Sequence, residues 1–256
     1  MENEESNLLF KGPCDACGSS DGNAHYDDGH AFCFVCNTRT RGDTPTNQPQ
    51  TTGGYSMDLL RGEYKALGKR KLTEETVRKY GYHVAKMGGE PVQVADYKRD
   101  GKVVAQKVRT PSKDFRMLGD GKDAGFFGQH LFTRNDRMLV VTEGELDAMS
   151  VSQALNHRQP VVSLNGGASS AVRTFRKEAE FIEQFERVVL MFDQDEAGQE
   201  AIAKVSPLLR PGQAYIATCP AKDASDAIVA GLHAELVKAV WDAEEYRPDG
   251  IIDAAS

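Results

Sequence analysis

The chain has 256 residues, a length that suits one large domain or two unequal ones. Apolar residues make up 40%, enough for a real core, and the net charge of −7 excludes a uniformly basic coat but not a local basic surface. No run of about 18 apolar residues occurs, so no membrane-spanning helix is expected, and the acidic start Met1–Glu5 does not read as a signal peptide.

Residues 1–42 are rich in Cys and Gly and poor in large aliphatics. Cys14-x-x-Cys17 and Cys33-x-x-Cys36 are separated by fifteen residues, a spacing that predicts one four-cysteine zinc site. In a reducing cytoplasm such thiols hold metal rather than form disulfides. A closed shell of four thiolates has no open position, so the zinc is expected to be structural. Asp28-Gly29 predicts a hairpin turn between the knuckles, with Asp28, His30, Phe32 and Phe34 projecting from it. Two readings stay open there: a solvated turn whose aromatics cover a minimal core, or a surface that hydrogen-bonds and stacks on exposed bases.

Residues 43–56 hold Pro, Gly, Thr and Gln with almost no core formers, and predict a flexible linker. From 57 to 137 the pattern is mixed. Thr73–Lys79 predicts a helix with acids in its first turn, and 92–97 and 103–108 predict strands joined by a turn at Arg99–Lys102. Residues 98–122 carry eight Lys or Arg against three Asp, a net of +5 that leaves −12 on the rest of the chain. Lys107 and Arg109 share one face of a predicted strand, and Lys113, Arg116 and Lys122 are expected in a following loop. This asymmetry predicts a phosphate-binding surface.

From 138 to 245, predicted strands (138–142, 160–164, 187–192, 213–218) alternate with predicted helices (145–155, 169–182, 196–209, 234–243). That alternation predicts a parallel α/β sheet with its site at the carboxyl ends of the strands. The first strand runs into Glu143-Gly144-Glu145-Leu146-Asp147, where Gly144 is expected to permit a sharp turn. The third runs into Asp193-Gln194-Asp195, whose acids in an extended chain point the same way, about 6.6 Å apart. If these strands are neighbours, the acids converge and need divalent cations, magnesium or manganese, to relieve their repulsion. Glu145 is either a solvated first-turn acid or part of the cluster. Cys219 reads as a packed thiol.

A Glu after the first strand and Asp-x-Asp after the third resemble the Toprim fold of primases, topoisomerases and some nucleases. The resemblance implies that Glu143, Asp193 and Asp195 are metal-binding catalytic acids and that Asp147 and Asp223 are accessory ones. Further stretches extend it: Pro-Cys-Asp-x-Cys-Gly-Ser-Ser-Asp-Gly-Asn at 13–23, Gln-Val-Ala-Asp-Tyr at 93–97, Gln-Lys-Val-Arg at 106–109, Val-Thr-Glu-Gly-Glu-x-Asp at 141–147 and Met-Phe-Asp-x-Asp-Glu-Ala-Gly at 191–198. Together they resemble the primase half of the primase–helicases of T-seven-like bacteriophages, although Asn165-Gly166-Gly167 stands where that family has Gly-His-Gly.

This resemblance implies a zinc ribbon (1–42), the linker (43–56), a basic subdomain (57–137), a Toprim subdomain (138–245) and the start of a linker to a helicase half (246–256). It implies a DNA primase in the host bacterial cytoplasm, making short RNA primers at short recognition sites for lagging-strand replication. One structural zinc, two catalytic magnesium or manganese ions and ribonucleoside triphosphates are the implied cofactors and substrates. Implied partners are the single-stranded DNA template, the RNA primer, a replicative DNA polymerase for hand-off and a helicase domain in cis, with no membrane. Lys107, Arg109, Lys113 and Lys122 are the candidates for nucleotide and template contacts, and Asp28, His30 and Phe34 for base reading. No Gly-x-x-x-x-Gly-Lys-[Ser/Thr] loop occurs, because Gly62…Gly68-Lys69-Arg70 has one residue too many and no hydroxyl. A truncated chain is therefore expected. The rivals are a non-catalytic zinc-ribbon/Toprim recombination mediator, whose two modules lie close together, and a Toprim nuclease. About 100 residues separate Cys36 from Glu143, room for a primase-type basic subdomain.

Overall fold

A computed structural model of the chain describes residues 8–40 apart from 15, 18, 20, 21 and 27–29, and residues 59–247 apart from 113 and 133–136. Contacts divide the chain into two units, residues 1–54 and 55–256. The expected linker at 43–56, Asp28, Lys113 and the segment from 248 on lie outside the described residues.

The first unit is a four-stranded antiparallel ribbon of β1 (Leu8–Gly12), β2 (Asn23–Tyr26), β3 (Ala31–Cys33) and β4 (Arg39–Thr40), paired in that order. Among the described residues its core is Ala24, Ala31, Cys14 and Cys33, far too little apolar area to fold such a unit alone.

The second unit begins with α1 (Glu74–Tyr80), as its sequence signals predict. Thr73 caps it by accepting from the Thr76 amide, and Gly81, at φ +74°, ends it. An antiparallel sheet follows in the order β5 (Tyr82–Met87), β6 (Glu90–Arg99), β7 (Lys102–Arg109), β8 (Phe115–Gly119). The β6–β7 turn has positive φ at both Asp100 and Gly101, the conformation whose twist matches the flanking strands. Arg116, expected in a loop, is inside β8. It pairs with Val108, while Phe115 pairs with Arg109 and Met117 with Lys107, so Arg116 faces away from the other two cations.

The rest of the unit is β9 (Met138–Thr142), α2 (Glu145–Ala154), β10 (Val161–Ser163), α3 (Ala171–Lys177), α4 (Ala179–Ile182), β11 (Arg187–Met191), α5 (Glu196–Val205), β12 (Ala214–Ile216), α6 (Ala224–Ala230), α7 (His233–Trp241) and β13 (Glu244–Glu245). The sheet order is β10-β9-β11-β12-β13, with the first four parallel and β13 antiparallel at the edge. This is a mixed α/β sheet, parallel except at its β13 edge. Met138, Val140, Val189 and Met191 pack with α2, α6 and α7, and the same cluster takes in Tyr80, Tyr97 and Phe127 from the antiparallel region. Leu139, Val141, Val188 and Leu190 pack with α3, α4 and α5 on the other face. Burial on both faces explains why these strands read as unbroken apolar runs.

The helix expected over 169–182 is interrupted. Its first turn is a 3-10 turn at Ala168–Ser170, and α3 and α4 meet at Glu178. The Glu178 carboxylate, 4% exposed as a side chain, accepts from Arg99 Nη2 and Gln129 Nε2, both at 2.7 Å. Side chains from the β6–β7 hairpin and from the segment around residue 129 thus satisfy a buried carboxylate at the junction of the two helices. The helix expected to run to residue 209 ends at Val205 and tightens into a 3-10 turn that contains Pro207.

Candidate active site

Because β10 lies outside β9 and β11 on its other side, the chain reverses its direction of travel between β9 and β11. That reversal is where ligands bind in open α/β sheets. Glu143 follows β9 and Asp193 follows β11, and the strands are in register from Arg187↔Met138 to Met191↔Thr142. A cleft of about 470 Å³ opens there, lined by Glu143, Asp147, Asp193 and Asp223 from the Toprim sheet and by Lys107 and Arg109 from β7. The acids and the cations thus meet in one place.

Each acid has its own support. Glu143 Oε1 accepts the Ala168 amide at 3.2 Å, whereas its Oε2 is buried with no hydrogen-bond partner. Asp147, one helical turn on, accepts the Ser225 amide at 2.9 Å. Burial, then the charge of Asp223, pushes the Asp147 carboxyl up to about 8, against the opposing pull of that amide. Burial, then Glu143, Asp223 and Asp195, pushes Asp193 up to about 6, with Lys222 opposing. Asp223 caps α6 by accepting the Asp226 amide at 2.6 Å. Asp195 caps α5 by accepting the Gly198 amide at 2.9 Å, so it sits at the helix head beside the cleft rather than in its lining. A Cβ on Gly198 would lie 2.2 Å from the Asp193 carbonyl oxygen, so only glycine lets α5 start this close to the acid.

Gly144 does not serve as expected. At φ −120° and ψ 160° its backbone is ordinary extended chain, open to any residue. What its missing Cβ provides is room, since one would sit 2.8 Å from Asp147 Oδ2.

Glu145 is not a solvated acid. It is 8% exposed, and its Oε1 accepts from the fully buried Tyr97 hydroxyl at 2.5 Å and from Lys107 Nζ at 2.9 Å. It fixes the Lys107 ammonium at the cleft wall. Lys122 lies away from the cleft, in the turn at 120–123, where its carbonyl accepts from Lys177 Nζ. Two contributors were not anticipated. Arg70 lines the cleft and donates to Ser225 Oγ at 3.2 Å and Asp226 Oδ1 at 3.3 Å. Phe115, 55% exposed, lies against Lys107 and Arg109. The basic run Lys69-Arg70-Lys71 is the sequence signal for Arg70, and it lies outside the basic stretch 98–122.

The residues fit a divalent metal by donor chemistry: hard carboxylate oxygens, raised pKa values and a buried oxygen with no protein partner.

In the ribbon, the four cysteine sulfurs lie within 4.8 Å of one another, with Cys14–Cys36 at 3.7 Å and Cys17–Cys33 at 3.6 Å. Tetrahedral zinc with bonds of about 2.3 Å separates its sulfurs by about 3.8 Å, so the four form a zinc-binding cluster. The second knuckle turns through Asn37 at φ +57°. His30 stacks on Tyr26 at 4.2 Å, and Phe34 stands 59% exposed, edge-on to Phe32 at 4.9 Å. Cys219 is buried in the core, where burial pushes its thiol up to about 11.

Three family models match this chain. The zinc-binding domain of primase-helicase covers residues 11–44, the N-terminal α+β fold of bacteriophage T7 DNA helicase/primase covers 62–119, and a Toprim-like model covers 140–228. A DNA helicase/primase of Enterobacteria phage T3 is 38% identical over the whole chain, which spans about half, 48%, of that relative's length. The crystal structure of the primase fragment of bacteriophage T7 primase-helicase protein is 39% identical, with 92% of this chain and 100% of that one covered at a TM-score of 0.68. A structure of bacteriophage T7 lagging-strand DNA polymerase interacting with primase domains bound to an RNA/DNA hybrid and dTTP aligns at 40% identity and a TM-score of 0.69, covering 73% of this chain and 95% of that one.

Proposed function

This chain belongs to the T7-type phage primase–helicase family, whose primase portion it matches, and from that premise we propose that it is a DNA primase making short RNA primers on single-stranded DNA. The observation that carries the reading is the cleft at the β9–β11 switch point, where Glu143, Asp147, Asp193 and Asp223 face Lys107 and Arg109. A cleft with metal-binding acids on one wall and cations on the other suits phosphoryl transfer between triphosphates.

In this reading the 3′-hydroxyl of one ribonucleoside triphosphate attacks the α-phosphate of a second, and pyrophosphate leaves. Two magnesium or manganese ions, when bound, would lower the pKa of the attacking hydroxyl and neutralise charge developing on the phosphoryl oxygens. Glu143, Asp193 and Asp195 would hold them, with Asp147 and Asp223 as accessory ligands. Lys107, aimed by Glu145 and Tyr97, and Arg109 would bind triphosphate, and Lys113 and Lys122 would extend that grip toward the template. The ribbon would read template bases through Asp28, His30 and Phe34. A helicase domain in cis, a replicative DNA polymerase that takes the primer, and the host bacterial cytoplasm complete the proposal. The polymerase partner is supported by the T7 assembly described above.

The test is incubation with single-stranded DNA, labelled ribonucleotides and magnesium. New RNA is expected, whereas cut DNA would favour a nuclease and binding alone a recombination mediator. Asp193→Ala and Glu143→Ala should lower RNA synthesis by at least about a hundredfold, since changes merely adjacent to metal ligands already cost 10–100-fold. Both variants should stay folded, because removing an acid relieves repulsion in the metal-free protein. Near-normal synthesis by Asp193→Ala would remove this cleft from the reaction.

A further inference from the structure

Phe115 opens β8 at the mouth of the cleft that holds the acids, and more than half of its surface is exposed. A lone exposed phenylalanine is ordinary on a protein surface. This one is placed differently. It shares the cleft with Glu143 and Asp193, and two cations are arranged around its ring. Lys107 Nζ lies 4.9 Å from the ring centroid and the Arg109 guanidinium 5.7 Å away. Strand pairing enforces this, because Arg109 is directly opposite Phe115 and Lys107 lies two residues back on the same face of β7. Lys107 is also held from below, by the buried Glu145 at 2.9 Å, which fixes the ammonium beside the ring.

We propose that Phe115 is a stacking platform for a nucleobase at the active cleft, a role that rests on the primase reading. A base laid on the open part of the ring has its sugar and phosphates directed to the two cations. Those cations carry the phosphate charge on toward the acids. Ring stacking tolerates any base, since every base has a π-face, and so suits an enzyme that must accept successive different nucleotides. The base belongs either to a nucleoside triphosphate or to the template strand, and the same ring chemistry serves both.

The experiment uses the full 256-residue chain. The single tryptophan, Trp241, is replaced in a Trp241→Phe background, and Phe115→Trp then puts the sole indole at the cleft. Its fluorescence is followed with ATP, with a single-stranded DNA oligonucleotide, and with inorganic tripolyphosphate. Quenching by ATP or by DNA, and none by tripolyphosphate, is expected. In parallel, Phe115→Ala should raise the KM for nucleotides or the Kd for template roughly ten- to a hundredfold, with kcat changed less than about twofold, because stacking binds without touching the reacting atoms. Phe115→Tyr should restore both constants, and Phe115→Leu, apolar but without a π-face, should not. A shift confined to nucleotide KM assigns the platform to the triphosphate, and one confined to DNA assigns it to the template. Unchanged constants in Phe115→Ala, or rescue by leucine, would overturn the platform while leaving the primase reading intact. Quenching by ATP in a chain that makes no RNA would do the reverse.

Discussion

At the scale of single residues, Glu145 is buried against Lys107 and Tyr97 from the antiparallel sheet. The acids were named from strand-end positions, yet the role of Gly144 is space for Asp147, and Glu145 holds Lys107 instead of facing water. The Glu145 contact could not be read from spacing, because Lys107 and Tyr97 arrive from another part of the chain. His130 shows the same dependence. Burial, then the charge of Lys98, pushes its imidazole down to about 4, so it stays neutral in the fold where the unfolded chain's imidazole, near 6.5, takes up a proton. A depressed pKa gives stability that is present above about pH 6.5 and is lost as pH falls toward 4. The thermal midpoint of His130→Gln should therefore drop less than that of the unaltered chain between pH 7 and pH 4.5. Equal drops in melts followed by circular dichroism would remove His130 from acid sensitivity.

At the scale of elements, local signals predicted α1, β9 and the β6–β7 hairpin nearly to the residue, because a threonine cap, an unbroken apolar run and a Gly turn each act over a few residues. The α3–α4 break at Glu178 has no Gly or Pro to signal it, and the Arg99 that meets its carboxylate lies 79 residues away. The ribbon is an element whose cohesion is metal. Its core is too small to fold it, and zinc binding to such sites supplies about 10–16 kcal/mol. Cys36→Ser should release the zinc and unfold residues 1–42, while residues 57–256, with their own core, keep their melting transition. Metal analysis should find one zinc per unaltered chain and less than a tenth of that in the variant. A stoichiometric zinc retained by Cys36→Ser would exclude the four-thiolate site.

At the scale of the whole molecule, the two units divide the proposed work. Residues 57–256 hold the acids and the cleft cations, which in the proposed reading would grip phosphate without reading sequence. The ribbon presents aromatic surface, Phe34 above all, which can stack on splayed bases. A fragment of residues 57–256 should keep weak, magnesium-dependent condensation of nucleotides and lose initiation at particular template sites. A primer-synthesis assay on templates differing in one trinucleotide measures this. If the fragment starts only where the whole chain starts, sequence choice lies in the second unit.

The zinc cluster, the parallel core of the second sheet and the placing of acids at its strand ends are legible in the amino-acid order alone. Those follow from short-range rules: cysteine spacing that suits one tetrahedral ion, apolar runs long enough for buried strands, and carboxylates where such strands end. Folding in three dimensions sets the rest: β9 and β11 become neighbours with the chain reversing between them, Tyr97 and Glu145 aim Lys107, and Arg70 and Phe115 complete the cleft. These are contacts between segments tens of residues apart, set by how two sheets share one core, and no local pattern in the chain encodes which distant side chain will fill a given space.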